Sequence, residues 1–201
     1  MPNRDLEFLY EVGSLRNMDR GWIQHLGTPC ASVLEHTVRV IWIALTIARR
    51  EQPAQAEPID ENKLIKMALT HDIGETRVSD LSYMQKVYVT ADEERAVHDL
   101  FDGTVVANYE EISKEYESRL SLEAKIVKDA DNLDLDMEMK ELQERGHKLP
   151  DKWIAIHRRD MRDKKLYTES AKKLWDEIQA SDPADWHMMS NKWITNPHAG
   201  K

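Results

Sequence analysis

Cysteine is almost missing, since Cys30 stands alone among 201 residues. A single thiol forms no internal disulfide and builds no Cys-rich zinc cage, so a disulfide-stapled scaffold and a structural zinc finger are both excluded. Long apolar runs are missing too. The longest, Val38 to Ala48, is broken by Arg39 and Thr46 and falls short of the ~20 residues a membrane span needs. Where a secretory signal would place its apolar core, the chain carries Arg4, Asp5 and Glu7, so a cytoplasmic protein without a membrane partner is expected. Positive charge is in deficit. With 28 basic against 37 acidic residues the net charge is -9, which opposes adhesion to nucleic acid, so any phosphate ligand must be met by local cations.

Glycine and proline number only seven each, and between them apolar residues recur at three- and four-residue spacings, the signature of helix. Charged residues at 32% and hydrophobic residues at 41% describe an ordinary globular chain, of a length that buries one substantial core. The expected architecture is all-α. It comprises a single helical bundle over residues 1–146 and a C-terminal helical or irregular extension over 147–201, packed on or beside it.

Helices are expected over Asp5–Leu15, over Val33–Arg50 with Ser32 and Glu35 as a capping box, and over Lys63–Ile73. Further helices are expected over Asp92–Phe101, Tyr109–Arg119, Ser121–Arg145 (closed by Gly146) and Thr168–Ala180. Asn17–Pro29 and Glu51–Asn62 read as loops. Glu75–Tyr88 lacks clean periodicity, which marks it as the place to look for a site. The segment after 183 reads as an irregular tail that packs by tryptophans such as Trp186 and Trp193.

Chemistry concentrates in a few places. His71 and Asp72 are adjacent at the end of an apolar helix, Glu75 follows one turn on, His36 lies one buried helix earlier, and Asp131 sits in the next long helix. Two imidazoles and two carboxylates form a nitrogen and oxygen donor set suited to a divalent ion such as Mn, Fe, Co, Ni or Zn. Donors drawn from three buried helices leave coordination positions open for water and substrate, as a catalytic site requires. Taken singly, each of the eight histidines reads as an ordinary core or surface residue. Their context is what carries weight.

That context is Ser32-Val33-Leu34-Glu35-His36-Thr37-Val38-Arg39-Val40, then Lys66-Met67-Ala68-Leu69-Thr70-His71-Asp72-Ile73-Gly74-Glu75, then Val127-Lys128-Asp129-Ala130-Asp131-Asn132-Leu133. Together these resemble the HD-domain phosphohydrolase superfamily, with its H…HD…D pattern. Arg20-Gly21-Trp22 before the first histidine and Asp80-Leu81-Ser82-Tyr83 after the HD pair are most similar to its 5'-deoxynucleotidase group. The resemblance covers roughly Leu6 to Arg145.

It implies His36, His71, Asp72 and Asp131 as ligands of one divalent metal ion, Co, Mn or similar, with Zn, Fe, Ni or Mg as further candidates, and Asp129 as a nearby decoy. A second metal would need more histidines between the HD pair and the final aspartate, where only His98 occurs. The resemblance also implies that Glu75 is catalytic beside Asp72, that Arg20 orients the phosphate, and that Trp22 packs against the nucleoside. Asp80, Leu81, Ser82 and Tyr83 would contact the nucleotide, with a helix N-cap as the competing role for Asp80. Substrate binding would also involve His36, Asp72 and Asp131. Arg39 and Lys128 read as partners of buried acids and Lys86 as a solvated lysine. The implied activity is hydrolysis of 2'-deoxynucleoside 5'-monophosphates to deoxynucleoside and phosphate by a homodimer. The alternatives are a deoxynucleoside triphosphate triphosphohydrolase, a catalytically silent nucleotide-binding module, and a helical structural protein.

Overall fold

A computed structural model describes residues 3–188, and among these there are helices, turns and loops but no β-strand. The first helix, α1 (Arg4–Gly13), starts where the Asn3 side chain accepts the Leu6 N–H. It gives way to a tighter 3-10 turn over Ser14–Asn17, so Leu15, expected in the helix, is buried in that turn. Inside the expected loop 17–29 lies one helical turn, α2 (Ile23–Leu26), closed by Gly27 at φ 66°. A residue with positive φ ends a helix cheaply only when it lacks a Cβ.

The capping box forms as expected. Ser32 accepts the Glu35 N–H and Glu35 accepts the Ser32 N–H, which starts α3 (Val33–Glu51). Asp60 caps α4 (Glu61–Thr70), with His71 as its C-cap. The helix thus stops short of the expected Ile73, and the chain tightens into α5 (Glu75–Val78). The aperiodic stretch beyond holds a single 3-10 turn over Gln85–Val87. Then follow α6 (Glu93–Phe101), α7 (Tyr109–Ser118), and α8 (Leu122–Glu144), which Ser121 caps and after which Gly146 turns at φ 83°. Two helices lie in a segment whose periodicity is too short to show in sequence, α9 (Leu149–Ile156, with Pro150 in its first turn) and α10 (Met161–Lys164). The chain continues through α11 (Glu169–Ala180), capped by Thr168, to α12 (Asp185–Met188), which exposes Trp186. Trp193 lies outside the described residues.

α3 and α8 form the centre, with α4, α7 and α11 packed around them. Val40, Ala44 and Ile47 of α3 meet Leu64, Met67 and Ala68 of α4 and Ile126, Val127, Ala130 and Leu133 of α8, all fully buried. Ala171 and Ile178 of α11 join the same core, so the segment after Gly146 shares apolar burial with the earlier helices. A smaller cluster of Leu26, Met139, Leu142 and Trp153 ties α2 and α9 to the C-terminal half of α8.

α8 is unusual in burying acids as well as apolar side chains. Asp129, Asp134, Asp136 and Glu138 are all buried, and each has a partner, as buried charge requires. Asp129 accepts the backbone N–H groups of Tyr167 and Thr168 and the Thr168 hydroxyl. Asp134 meets His36 and Arg39, Asp136 pairs with Arg158, and Glu138 accepts the Ala31 N–H. These acids fix α11, α3, the α9–α10 turn and the loop before α3 against one helix.

Candidate active site

His36 on α3, His71 and Asp72 just past α4, and Asp131 on α8 converge, each offering one donor atom within 4.8 Å of the others. His36 Nε2 lies 3.2 Å from His71 Nε2, 3.3 Å from an Asp72 oxygen and 3.4 Å from an Asp131 oxygen. Donors that share an ion at about 2.0–2.2 Å in tetrahedral or octahedral array stand about 3.0–3.4 Å apart. The four residues are therefore spaced as a coordination sphere.

Both imidazoles are oriented from behind. His36 Nδ1 donates to Asp134 Oδ2 at 2.6 Å and His71 Nδ1 donates to the Ala68 carbonyl at 2.8 Å. These bonds leave each Nε2 lone pair facing the cluster, as in metal-ligating histidines with a second hydrogen bond. His71 finds its carbonyl because it sits at the C-terminal end of α4, where carbonyls lack partners within the helix. The sequence reading missed Asp134. Its signal was an acid three residues after Asp131, on the side of α8 that faces α3.

Electrostatics match a cation. Burial disfavours a charged His36, but Asp131, Asp134 and Asp72 outweigh it and hold its pKa well above the ordinary value. Burial likewise opposes a charged Asp72, while His71, His36 and Arg20 hold its carboxyl well below the usual range. Asp131 is held low against burial by Lys128, whose Nζ lies 2.7 Å away, and by His36. The cluster thus stabilises positive charge at its centre, the demand a divalent cation meets.

Glu75, at the start of α5, is different. Burial first, then Asp72 and Asp80, push its carboxyl up to about 9, and its Oε2 is buried without a hydrogen-bond partner among the described residues. Arg20 is buried and joins two segments, with Nη1 3.0 Å from Asp72 Oδ2 and Nε 3.1 Å from Asp80 Oδ2. Asp80 Oδ2 also accepts the Gly21 N–H at 3.1 Å. No helix starts at Asp80, so its competing role as an N-cap falls away. Its carboxylate anchors the Arg20 loop.

The glycine between Arg20 and Trp22 has a steric cause. A Cβ there would lie 2.4 Å from the Asp80 carbonyl oxygen and 2.7 Å from the Ser82 nitrogen. Trp22 packs under the Arg20 guanidinium at 4.7 Å, a cation–π contact. Ser82 is buried, with its N–H donated to Gln85, while Tyr83 is half exposed and stacks at 5.4 Å from His25. Leu81 contributes backbone to the close approach at Gly21.

The remaining residues fall outside the cluster. Asp129 faces α11. Arg39 pairs with Asp134 and Glu141, and Lys128 with Asp131, both as partners of acids. His98 is exposed and pairs with Glu110, and Lys86 is exposed.

A family model described as "HD domain" matches residues 12–180. The chain belongs to the HD-domain family. The match takes in the adjacent His71 and Asp72 and runs through α11. Among curated relatives, 5'-deoxynucleotidase HDDC2 of Dictyostelium discoideum is 30% identical over 155 residues, covering 73% of this chain and 82% of the relative. Its namesake in Danio rerio is 31% identical over 147 residues, covering 69% and 70%. A solved structure of a conserved hypothetical protein from Pyrococcus furiosus superposes with a TM-score of 0.73 at 29% identity, covering 88% of this chain and 99% of the other. The HD-domain fold is all helical, as this chain is among its described residues, and no described helix is long and apolar enough to cross a membrane.

Proposed function

We propose that this HD-domain chain is a 5'-deoxynucleotidase. It hydrolyses the phosphomonoester of 2'-deoxynucleoside 5'-monophosphates to deoxynucleoside and inorganic phosphate. The observation that carries the reading is the buried Arg20 guanidinium, held against the His36, His71, Asp72 and Asp131 cluster through Asp72. The names of the curated relatives support the substrate class.

His36, His71, Asp72 and Asp131 would hold one divalent ion, Co, Mn or similar. An ion there neutralises phosphate charge and makes a water at the site more acidic. Arg20, aimed by Asp80 and Gly21, presents a guanidinium whose planar donors match phosphate oxygens. Since it is already ordered, it stabilises transferring phosphoryl oxygens without reorganisation. Glu75 has an unpartnered oxygen beside Asp72, placed to take a proton from the attacking water or, when protonated, to give one to the leaving oxygen. Trp22 packs beside Arg20 on the nucleoside side. The 80–83 segment closes the same edge, with Asp80, Leu81, Ser82 and Tyr83 as its contacts.

One cavity argues against a triphosphate substrate. About 570 Å³ opens beside His71 and Asp72, lined by Glu75, Asp92, Glu93, Glu94, Glu110 and Glu117, with Lys114 as its cation. Lys114 is already paired with Glu110 and Glu111. A tripolyphosphate chain would meet repulsion there, whereas one phosphate needs only Arg20 and the bound ion.

In this reading residues 1–146 are the phosphohydrolase domain and 147–201 an extension packed on or beside it, in a cytoplasmic homodimer. Val38 and Trp42, exposed one turn apart on α3, support a second copy as partner. The test is phosphate against tripolyphosphate release from a nucleotide panel, with Co, Mn, Mg or Zn restored to metal-stripped protein and Asp72→Ala as control. Phosphate from deoxynucleoside monophosphates, lost in the variant, is expected. Tripolyphosphate release would overturn the reading. Light scattering reads the dimer.

A further inference from the structure

A second cavity, of about 310 Å³, opens against Trp22, and none of His36, His71, Asp72 and Asp131 lines it. It is lined by the rings of Trp22, Tyr83, Trp153 and His157 together with Leu135 and Met139. Trp153 and His157 come from α9 and its C-cap, in the extension after Gly146. Tyr83 and His157 face each other at 5.0 Å, His25 stands 5.4 Å from Tyr83, and its ring meets Trp153 edge-on at 6.4 Å.

The lining decides what fits. Arg158 also borders the cavity, but its guanidinium is committed to both Asp136 oxygens, at 2.5 and 2.8 Å, and to the Asn132 carbonyl at 2.7 Å. Among the described residues no free cation is left there for a phosphate. What the cavity offers is flat aromatic and apolar surface, which a heterocyclic base fills by stacking. The Trp22 Nε1 donor is buried and has no acceptor among the described residues. Such a donor is costly unless a ligand or water accepts from it, and base carbonyls and ring nitrogens are acceptors.

The order of groups matches a nucleotide read from its phosphate end. Asp72 of the cluster contacts Arg20, Arg20 lies over Trp22, and Trp22 lines the aromatic cavity. We infer that this cavity is the nucleobase site, and that Trp153 and His157 of the C-terminal extension determine how tightly the base is held. The inference rests on the deoxynucleotidase reading and adds to it a task for the extension. A site closed by rings, with its one cation already paired, selects for a flat base rather than for a particular pattern of polar edges. Tolerance of both purines and pyrimidines follows.

The experiment uses the full chain and two substrates, a deoxynucleoside 5'-monophosphate and 2-deoxyribose 5-phosphate, which lacks the base. His157→Ala alters an exposed side chain and leaves the core intact, and Trp153→Leu keeps an apolar, though smaller, side chain in the cluster with Met139. Each variant is expected to raise KM for the nucleotide more than it lowers kcat. The preference for nucleotide over base-free sugar phosphate should fall about tenfold or more, the scale of losing one stacking partner. Titration calorimetry of the deoxynucleoside with metal-free protein supplies a readout independent of turnover, with binding weakened to a similar degree. An unchanged preference and unchanged deoxynucleoside binding in His157→Ala would overturn the base site while leaving the nucleotidase reading intact. Absence of deoxynucleotide hydrolysis by the unaltered protein would overturn the nucleotidase reading, and deoxynucleoside binding would then decide the cavity by itself.

Discussion

Asp134 Oδ2 lies 2.6 Å from His36 Nδ1, on the opposite side of the imidazole from His71, Asp72 and Asp131. The carboxylate is itself buried and held by Arg39, so His36 is fixed in the tautomer that turns Nε2 toward Asp72 and Asp131. Removing such a partner typically costs 10–100-fold in metal affinity. Asp134→Ala is therefore expected to weaken Co or Mn binding by about 10–100-fold, as read by competition with a chromophoric chelator. Affinity unchanged within twofold would show that packing alone orients His36.

Asp129 and Asp131 sit two positions apart on α8 with opposite duties. Asp129 is bound to three donors at the start of α11, so Asp129→Ala leaves buried N–H groups unpaired. A cost of about 2–5 kcal/mol in unfolding free energy is expected, with metal stoichiometry retained. Asp131→Ala is expected to do the reverse, losing the ion while unfolding near the metal-free protein's midpoint. Urea denaturation with metal analysis of both variants checks the pair, and equal effects on stability would contradict the division.

Gly21 lets two loops touch. In Gly21→Ala the new Cβ would collide with the backbone at Asp80 and Ser82, and neither backbone has a flexible end that can yield. The Arg20 and Trp22 loop must then move away from Asp80, which loosens the guanidinium. Misplacement of a positioning group by about 1 Å costs on the order of 100-fold in rate. A fall of about that size in kcat/KM, with metal affinity kept, is expected from steady-state kinetics. Wild-type kinetics in the variant would show that the loops separate harmlessly.

Burial and the nearby Glu138 carboxylate push the Cys30 thiol up to about 11, against an ordinary value near 8.5. An acid whose pKa is raised on folding favours its neutral form in the native state. Its contribution to stability is whole below pH ~8.5 and is lost as pH rises through about 11. Since the thiolate is the nucleophile, iodoacetamide at pH 8 should alkylate native Cys30 far more slowly than the urea-unfolded chain. Glu138→Gln should narrow the gap. Equal rates in the native and unfolded states would refute the shift.

Most helices were legible in the sequence for local reasons. A capping box, N-cap side chains and a glycine stop act within a few residues, and periodic apolar positions report burial directly. The motif residues around His36, His71 and Asp131 carried the family in their order along the chain. Other features were not legible, because they depend on partners far away in sequence. Ser32 and Glu35 cap one another across three positions, whereas Asp134 orients His36 across 98.

The sequence by itself determined the all-helical class, the donor types and the deficit of positive charge, since each is a property of composition or short spacing. Tertiary structure alone decided that Asp80 aims Arg20 rather than starting a helix, and that buried acids of α8 fasten several elements. It also decided that Trp153 and His157 line a cavity with Trp22. The physical reason is the same in each case. Hydrogen bonds, ion pairs and aromatic contacts need distances of a few ångströms, and only packing of α3, α8 and their neighbours brings segments so far apart in the chain within that range.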